Sequence, residues 1–131
     1  MKVPFNDLSI QHNAIRDEID DLFNSVLKSS AFIRGEYVEK FEEDFARKSE
    51  RDFCVSCANG TDALYIAMKA LEIKDGDEVI APAHSWISTT STITQAGGKV
   101  VFCDTDNKTY TIDPKLIEEK ITPKTVGIIP V

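Results

Sequence analysis

The chain of 131 residues has no apolar run long enough to cross a membrane and no run of Lys and Arg. Residues 1–7 lack the apolar core of a secretory signal. Acidic residues (22) outnumber basic ones (15), so the formal net charge is −7. We therefore expect a cytoplasmic protein that binds neither membranes nor nucleic acid. The acidic balance does not exclude a phosphorylated ligand, because a few backbone N–H groups can bind one phosphate.

Cysteine is scarce, with three residues in the chain: Cys54, Cys57 and Cys103. An odd count without a secretory signal argues against a disulfide framework. Cys54 and Cys57 form a C-x-x-C, but no second pair completes a zinc site, and His12 and His84 are isolated. Residues three apart on a strand point to opposite faces, and residues 53–57 are predicted to be a strand. We therefore predict no metal site and interpret these cysteines as buried structural thiols.

Glycine is also scarce, with six residues in the chain. The spacing G-x-G-x-x-G of a dinucleotide-binding fold is absent, and so is the P-loop pattern. These absences argue against a Rossmann-type site and against nucleotide triphosphate hydrolysis.

The first 50 residues carry helical periodicity. Apolar residues recur three and four apart over residues 11–28, with acidic residues between them, which predicts an amphipathic helix. Ser29 and Ser30 mark a break and Gly35 marks a turn. A second amphipathic helix is predicted from about Val38 to about Ser49. Residues 1–50 are therefore expected to form an N-terminal helical segment.

From residue 51 onwards, short apolar strands alternate with helices. Strands are predicted at 53–57, 78–81, 99–103 and 125–131, and helices at 63–71, 85–95 and 114–121. The strands are continuous apolar runs, as expected when helices cover both faces of a parallel sheet. The helix at 63–71 is apolar on almost every side and is expected to be buried. The pattern predicts an α/β fold with three layers and a mostly parallel sheet.

The turn after the first predicted strand contains Asn59, Gly60 and Thr61. Ligands collect at the carboxyl ends of strands in open α/β sheets. Gly60 permits close backbone approach, and the N–H groups at the start of the next helix, with the Thr61 hydroxyl, can bind an anion. An ordinary turn capped by Asn59 or Thr61 is the alternative interpretation.

The segment after the second predicted strand should lie at the same edge. Its Trp86, the one tryptophan of the chain, can stack on an aromatic ligand or fill the core. Ser88, Thr89 and Thr90 can hydrogen-bond a ligand or cap a helix. His84 is either a surface residue or an acid–base group.

Taken in order, these segments resemble the DegT/DnrJ/EryC1/StrS family of pyridoxal-phosphate-dependent sugar aminotransferases, over essentially the whole chain. The fold then resembles the N-terminal part of the large domain of fold-type I pyridoxal-phosphate enzymes. The segments that carry the resemblance are VPFNDL (3–8), SSAFIRG (29–35), VEKFE (38–42), ANGTDAL (58–64), GDEVI (76–80), WISTT (86–90), FCD (102–104), YTIDP (110–114) and IIPV (128–131).

The resemblance implies roles for individual residues. The turn of Asn59, Gly60 and Thr61 would bind the phosphate of pyridoxal 5'-phosphate, and Trp86 would stack on its ring. Three further residues are implied at the substrate or the dimer interface: Phe32, Arg34 and Ser88. Asp104 is interpreted as a structural residue near the site.

The resemblance also implies what this chain does not contain. The family's Schiff-base lysine, and the aspartate that pairs with the pyridinium nitrogen, lie beyond the position that matches Val131. We therefore expect no catalytic residue in the chain, and no activity from it alone. Residues 51–131 would be an α/β cofactor-binding domain that is incomplete at its C-terminus.

The full-length protein is expected to be a homodimer that transfers an amino group from an amino acid, glutamate, to a keto group on a nucleotide-linked deoxysugar. Two alternatives stay open. One is a sugar dehydratase of the same family, in which histidine replaces the lysine. The other is a non-catalytic binding or regulatory protein.

Overall fold

A computed structural model describes residues 3–131, which divide into two compact units, one extending to Ser56 and one comprising residues 57–131. The first unit is helical, and its helices are α1 (Ser9–Ala14), α2 (Arg16–Ser29) and α3 (Glu36–Lys48). No helix among residues 3–131 is long and apolar enough to span a bilayer.

The single helix predicted for residues 11–28 is instead two helices, α1 and α2. Ile15 interrupts them, because its backbone leaves the helical region (φ −117°, ψ 14°) and its N–H bonds to the carbonyl oxygen of His12 at 3.3 Å. The apolar spacing continues across this residue, so periodicity alone does not reveal the break. The predicted break after α2 is confirmed, since Ser30 is left-handed at φ 55°.

Helix α3 confirms the second predicted helix and begins two residues earlier, after Gly35. A Cβ atom on Gly35 would lie 3.1 Å from the carbonyl oxygen of Ala31, so the tight turn before the helix favours glycine. Acidic residues in the first turn and basic residues in the last turn of α3 complement the helix dipole.

The strand predicted for residues 53–57 does not form, and this prediction is wrong. The segment pairs with no strand among the described residues, and the side chain of Phe53 is 87% exposed. The Ser56 N–H and hydroxyl instead donate to Oε1 of Glu42 at 2.8 and 2.7 Å. An apolar run becomes a strand only when another strand satisfies its backbone, and side-chain bonding replaces that partner at Ser56.

The second unit is an α/β unit. Its elements are α4 (Gly60–Ala70), β1 (Glu78–Pro82), α5 (Ile87–Ala96), β2 (Lys99–Cys103), α6 (Pro114–Ile117) with a 3-10 turn (Glu118–Lys120), and β3 (Thr125–Ile128). The sheet has the order β2-β1-β3, and both pairings are parallel. The predicted strands at 78–81 and 99–103 are confirmed, whereas α6 and β3 are shorter than predicted.

Strand β1 is buried along its whole length and carries a core on each face of the sheet. Val79 and Ala81 pack with Ile93 of α5 in one cluster, and Ile80 packs with Cys103 and Ile112 in the other. Partly buried residues of α6 cover this second cluster. The sheet therefore lies between helical layers, which confirms the predicted three-layer α/β fold.

Helix α4 is less buried than its composition predicts. Only Met68 of this helix is buried, and Ile66 and Leu71 are exposed. The expectation of a helix buried all round is therefore wrong within this unit. The predicted glycine cap of α5 is confirmed, because Gly97 adopts the left-handed conformation at φ 105°.

Candidate functional site

The first turns of α4 and α5 border one cavity in the second unit. Its volume is about 320 Å³, and it is lined by Gly60, Thr61, Leu64, Trp86, Ser88 and Thr89. The glycine turn and the tryptophan segment lie 26 residues apart in sequence, from position 60 to position 86. The structure therefore brings together the two features that the sequence presents separately.

Asn59 caps helix α4. Its Oδ1 accepts the backbone N–H of Asp62 at 2.9 Å, and its carbonyl oxygen accepts that of Ala63 at 3.0 Å. Its Nδ2 donates to Oδ2 of Asp62 at 3.2 Å. These bonds leave the N–H groups of Gly60 and Thr61 without an acceptor in the part of the chain that the structure describes. The side chain of Asn59 thus shapes the turn, and its predicted contact with a cofactor remains a prediction.

Gly60 faces open space. A Cβ atom built on it would meet no heavy atom within 4 Å, and its backbone is not in the left-handed region. Neither the fold nor the backbone conformation therefore requires glycine at this position. A missing side chain beside two available N–H groups suits the close approach of a phosphate at the positive end of a helix.

The hydroxyl groups of Thr61 and Ser88 lie 2.7 Å apart and join the first turns of α4 and α5. Ser88 is only 7% exposed, whereas Thr61 is half-buried. The sequence identifies each residue as a possible donor but does not predict that they pair. No local pattern reveals a contact between residues 27 positions apart.

Trp86 stands at the N-terminus of α5 and is 77% exposed. The interpretation that it fills the core is therefore wrong. Its carbonyl oxygen accepts the N–H of Thr89 at 3.0 Å, and the Thr89 hydroxyl lies 2.8 Å from that of Ser85. These bonds order the turn and leave the indole at the cavity wall, available to stack on a flat ligand.

The other candidate residues of this unit do not line the cavity. The ring of His84 meets Tyr110 edge-on, with centroids 6.5 Å apart, and the side chain of His84 is exposed. The carboxylate of Asp104 accepts the N–H of Thr105 at 2.8 Å. This bond is local, and the role of Asp104 that the resemblance implies stays a prediction.

Phe32 and Arg34 belong to the first unit. Phe32 is exposed, and Arg34 holds a left-handed backbone conformation at φ 48°. Bonds from Ser56, the backbone N–H first, hold the pKa of Glu42 below its ordinary value, and the Arg34 guanidinium lowers it further. The implied position of Phe32 and Arg34 at the substrate or dimer interface stays a prediction.

The three cysteines are free thiols, and they differ in burial. Cys103 is buried, and burial raises the pKa of its thiol. Cys54 is half-buried and Cys57 is exposed, so the interpretation of all three as buried structural thiols is wrong for these two. Within residues 3–131 no group of three or more His, Cys, Asp or Glu side chains could hold a metal ion.

Comparison with known proteins shows the family to which the chain is similar. The model of the DegT/DnrJ/EryC1/StrS aminotransferase family matches residues 13–131. The chain belongs to this family. Its members include aminotransferases that depend on pyridoxal phosphate, so the cofactor implied by the resemblance is confirmed for the family.

Two relatives illustrate the range of the family. The chain is 44% identical to the pleiotropic regulatory protein of Geobacillus stearothermophilus over 131 residues, all of this chain and 35% of the relative. It is 43% identical over 129 residues to the UDP-2-acetamido-2-deoxy-3-oxo-D-glucuronate aminotransferase of Pseudomonas aeruginosa, 98% of this chain and 36% of that protein. The chain thus spans about a third of the length of these relatives.

Solved structures show the same fold. S. venezuelae DesV, in complex with a ketimine intermediate, has a TM-score of 0.94 and 36% identity over 98% of this chain and 35% of that chain. A GDP-4-keto-6-deoxymannose-3-dehydratase with a trapped PLP-glutamate geminal diamine has a TM-score of 0.76 and 35% identity over 82% of this chain and 29% of that one. These structures confirm the resemblance to fold-type I enzymes.

Proposed function

We propose that the full-length protein transfers an amino group from an amino acid, glutamate, to a keto group on a nucleotide-linked deoxysugar, with pyridoxal phosphate as its cofactor. This chain would supply the part of the site that holds the cofactor. The observation that carries the proposal is the convergence of two available N–H groups, an open glycine and an exposed indole on one cavity.

The residues of the cavity fit the two chemically different parts of the cofactor. The N–H groups of Gly60 and Thr61 and the Thr61 hydroxyl are donors, at the positive end of α4, for the phosphate. The indole of Trp86 offers an apolar face for the pyridine ring. The bound cofactor supplies the electron sink that transamination requires. The chain's own residues anchor, orient and cover it.

The cavity contains no lysine among its described lining residues. We propose that the amine that binds the cofactor covalently lies outside this chain, which is what the family resemblance implies. Dimer formation and the Phe32–Arg34 segment at a shared site are further parts of the same proposal. Asn59 holds the turn in shape, and its direct contact with the cofactor is a further part of the same proposal.

The proposal is tested with the longest product of the reading frame that encodes this chain. The purified protein is incubated with pyridoxal phosphate, reduced with borohydride and mapped by mass spectrometry. It is then assayed for production of 2-oxoglutarate from glutamate with a panel of nucleotide-linked keto sugars. A reduced cofactor on one lysine, together with sugar-dependent 2-oxoglutarate production, is expected. A folded protein that binds cofactor without either signal contradicts the proposal.

Two alternatives have support among the relatives and give different results in this experiment. Similarity to a GDP-4-keto-6-deoxymannose-3-dehydratase supports a dehydratase. Such an enzyme would remove water from the sugar, and the reduced cofactor would be attached to no lysine. Similarity to a pleiotropic regulatory protein supports a regulatory role. A regulator would form neither an aminated nor a dehydrated sugar.

A further inference from the structure

The hydroxyl pair of Thr61 and Ser88 connects the first turns of two helices at the cavity. The oxygen atoms lie 2.7 Å apart, which is the usual length of a strong O–H···O hydrogen bond, and either oxygen can donate. Helices α4 and α5 have 11 and 10 residues, and both direct the positive ends of their dipoles to this point.

A phosphate changes this pair, because it accepts hydrogen bonds and at neutral pH donates few or none. A hydroxyl has one proton to donate and two lone pairs to accept with. If Thr61 donates its proton to a phosphate oxygen, it can bond Ser88 only as an acceptor. Ser88 must then donate, and the protons run in one direction, from Ser88 to Thr61 to the phosphate.

We infer that Ser88 is a positioning residue for the cofactor phosphate, which acts through Thr61 rather than by touching the phosphate itself. The inference rests on the proposed function and deepens it. Ser88 is nearly buried and α5 fixes its backbone, so it holds the Thr61 hydroxyl in a single rotamer. Polarisation along the chain of two hydroxyls strengthens the bond to the anion.

The arrangement predicts a specific pattern of affinities for the full-length protein. The ligands are pyridoxal phosphate and pyridoxal, which lacks the phosphate, and the variants are Thr61→Val, Ser88→Ala and both together. Ser88→Ala should weaken the binding of pyridoxal phosphate about 3- to 10-fold, as expected for the loss of one hydrogen bond, and Thr61→Val should weaken it at least as much. The double variant should be no weaker than Thr61→Val, and pyridoxal affinity should not change.

Ser91→Ala is the matched control, because Ser91 lies on the same helix and does not line the cavity. Its affinities for both ligands should equal those of the wild type. Unchanged pyridoxal affinity in Ser88→Ala also shows that the site remains folded, which a merely structural defect would not allow.

Two results separate failure of this inference from failure of the proposed function. If the wild type binds pyridoxal phosphate no more tightly than pyridoxal, the phosphate site is absent and both fail. If the wild type binds pyridoxal phosphate more tightly than pyridoxal, three results would overturn the inference alone. Ser88→Ala could bind pyridoxal phosphate with wild-type affinity, or it could lose as much affinity for pyridoxal as for pyridoxal phosphate. The losses of the two single variants could also multiply in the double variant.

Discussion

The hydroxyl of Thr122 donates a 2.6 Å hydrogen bond to Oε2 of Glu78, at the end of the sheet where the central strand β1 begins. Nζ of Lys99 lies 3.1 Å from Oε1 of the same carboxylate, at the start of β2. Glu78 is buried, and its N–H also bonds to the carbonyl oxygen of Lys124 before β3. One glutamate thus connects the beginnings of all three described strands.

This carboxylate should make the stability of the unit depend on pH. The Thr122 hydrogen bond, followed by the bond from Lys99, holds the pKa of Glu78 below its ordinary value. Its contribution is therefore complete above the ordinary glutamate pKa, about 4.3, and is lost as the pH falls through the lower pKa of the folded state. Glu78→Gln should lower the free energy of unfolding at neutral pH, and the difference from the wild type should shrink in acid.

Urea denaturation of the full-length protein between neutral and acidic pH measures this difference. Glu118→Gln serves as the control, because Glu118 is exposed and should change stability little at any pH. A Glu78→Gln deficit that stays constant as the medium is acidified would show that the charge of Glu78 is irrelevant.

Two isoleucines of α5 should contribute differently to the stability of the core between this helix and the sheet. Ile93 is 0% exposed and packs with Val79 and Ala81, whereas Ile87 on the same helix is 70% exposed. Ile93→Ala should lower the free energy of unfolding by about 2–5 kcal/mol, because it leaves a cavity. Ile87→Ala should cost less than about 0.5 kcal/mol. Equal losses in chemical denaturation would mean that α5 packs by a different face.

Gly60 should matter for binding and not for folding. Gly60→Ala adds a methyl group where no protein atom lies within 4 Å, and alanine favours a helix more than glycine does. The unfolding midpoint should stay the same or rise slightly, while pyridoxal phosphate binds more weakly because the methyl group obstructs the phosphate.

Gly98→Ala is the contrasting variant. Its Cβ would lie 2.8 Å from Cγ2 of Ile73, so the crowding should destabilise the fold by about 1–3 kcal/mol without acting on the cofactor directly. Calorimetry and equilibrium dialysis on the two variants measure stability and cofactor affinity. Wild-type cofactor affinity in Gly60→Ala would show that the phosphate does not need the open space at Gly60.

Trp86 should contribute to affinity through its ring face. Trp86→Ala should weaken the binding of pyridoxal phosphate and of pyridoxal equally, by about 0.5–1.5 kcal/mol, as is typical of an aromatic pair. Trp86→Phe should keep most of the binding free energy. Because the side chain is largely exposed, the free energy of unfolding should change by less than about 0.5 kcal/mol. A loss confined to the phosphorylated ligand would place the indole near the phosphate instead of the ring.

Local sequence patterns predict those elements whose formation depends mainly on adjacent residues. Strands β1 and β2 are short apolar runs bounded by turn residues, and Gly97 ends α5 through its own left-handed backbone. The turn of Asn59, Gly60 and Thr61 is also recognisable as a candidate anion site, because a glycine at a helix start carries its chemistry in adjacent positions.

Features that depend on distant partners are not predictable in this way. Residues 53–57 have a strand's composition but no pairing strand among the described residues, and Ile15 interrupts a helix whose apolar spacing is continuous. The exposure of Trp86 and its cavity depends on how α5 packs against α4. The hydroxyl contact of Thr61 with Ser88 depends on the same packing.

The most direct test of the central claim is a crystal structure of the full-length protein grown with pyridoxal phosphate. We predict that the phosphate lies within hydrogen-bond distance of the Gly60 and Thr61 N–H groups and the Thr61 hydroxyl, with the pyridine ring against the indole of Trp86. Cofactor bound elsewhere, or a phosphate that contacts none of these donors, would contradict the claim.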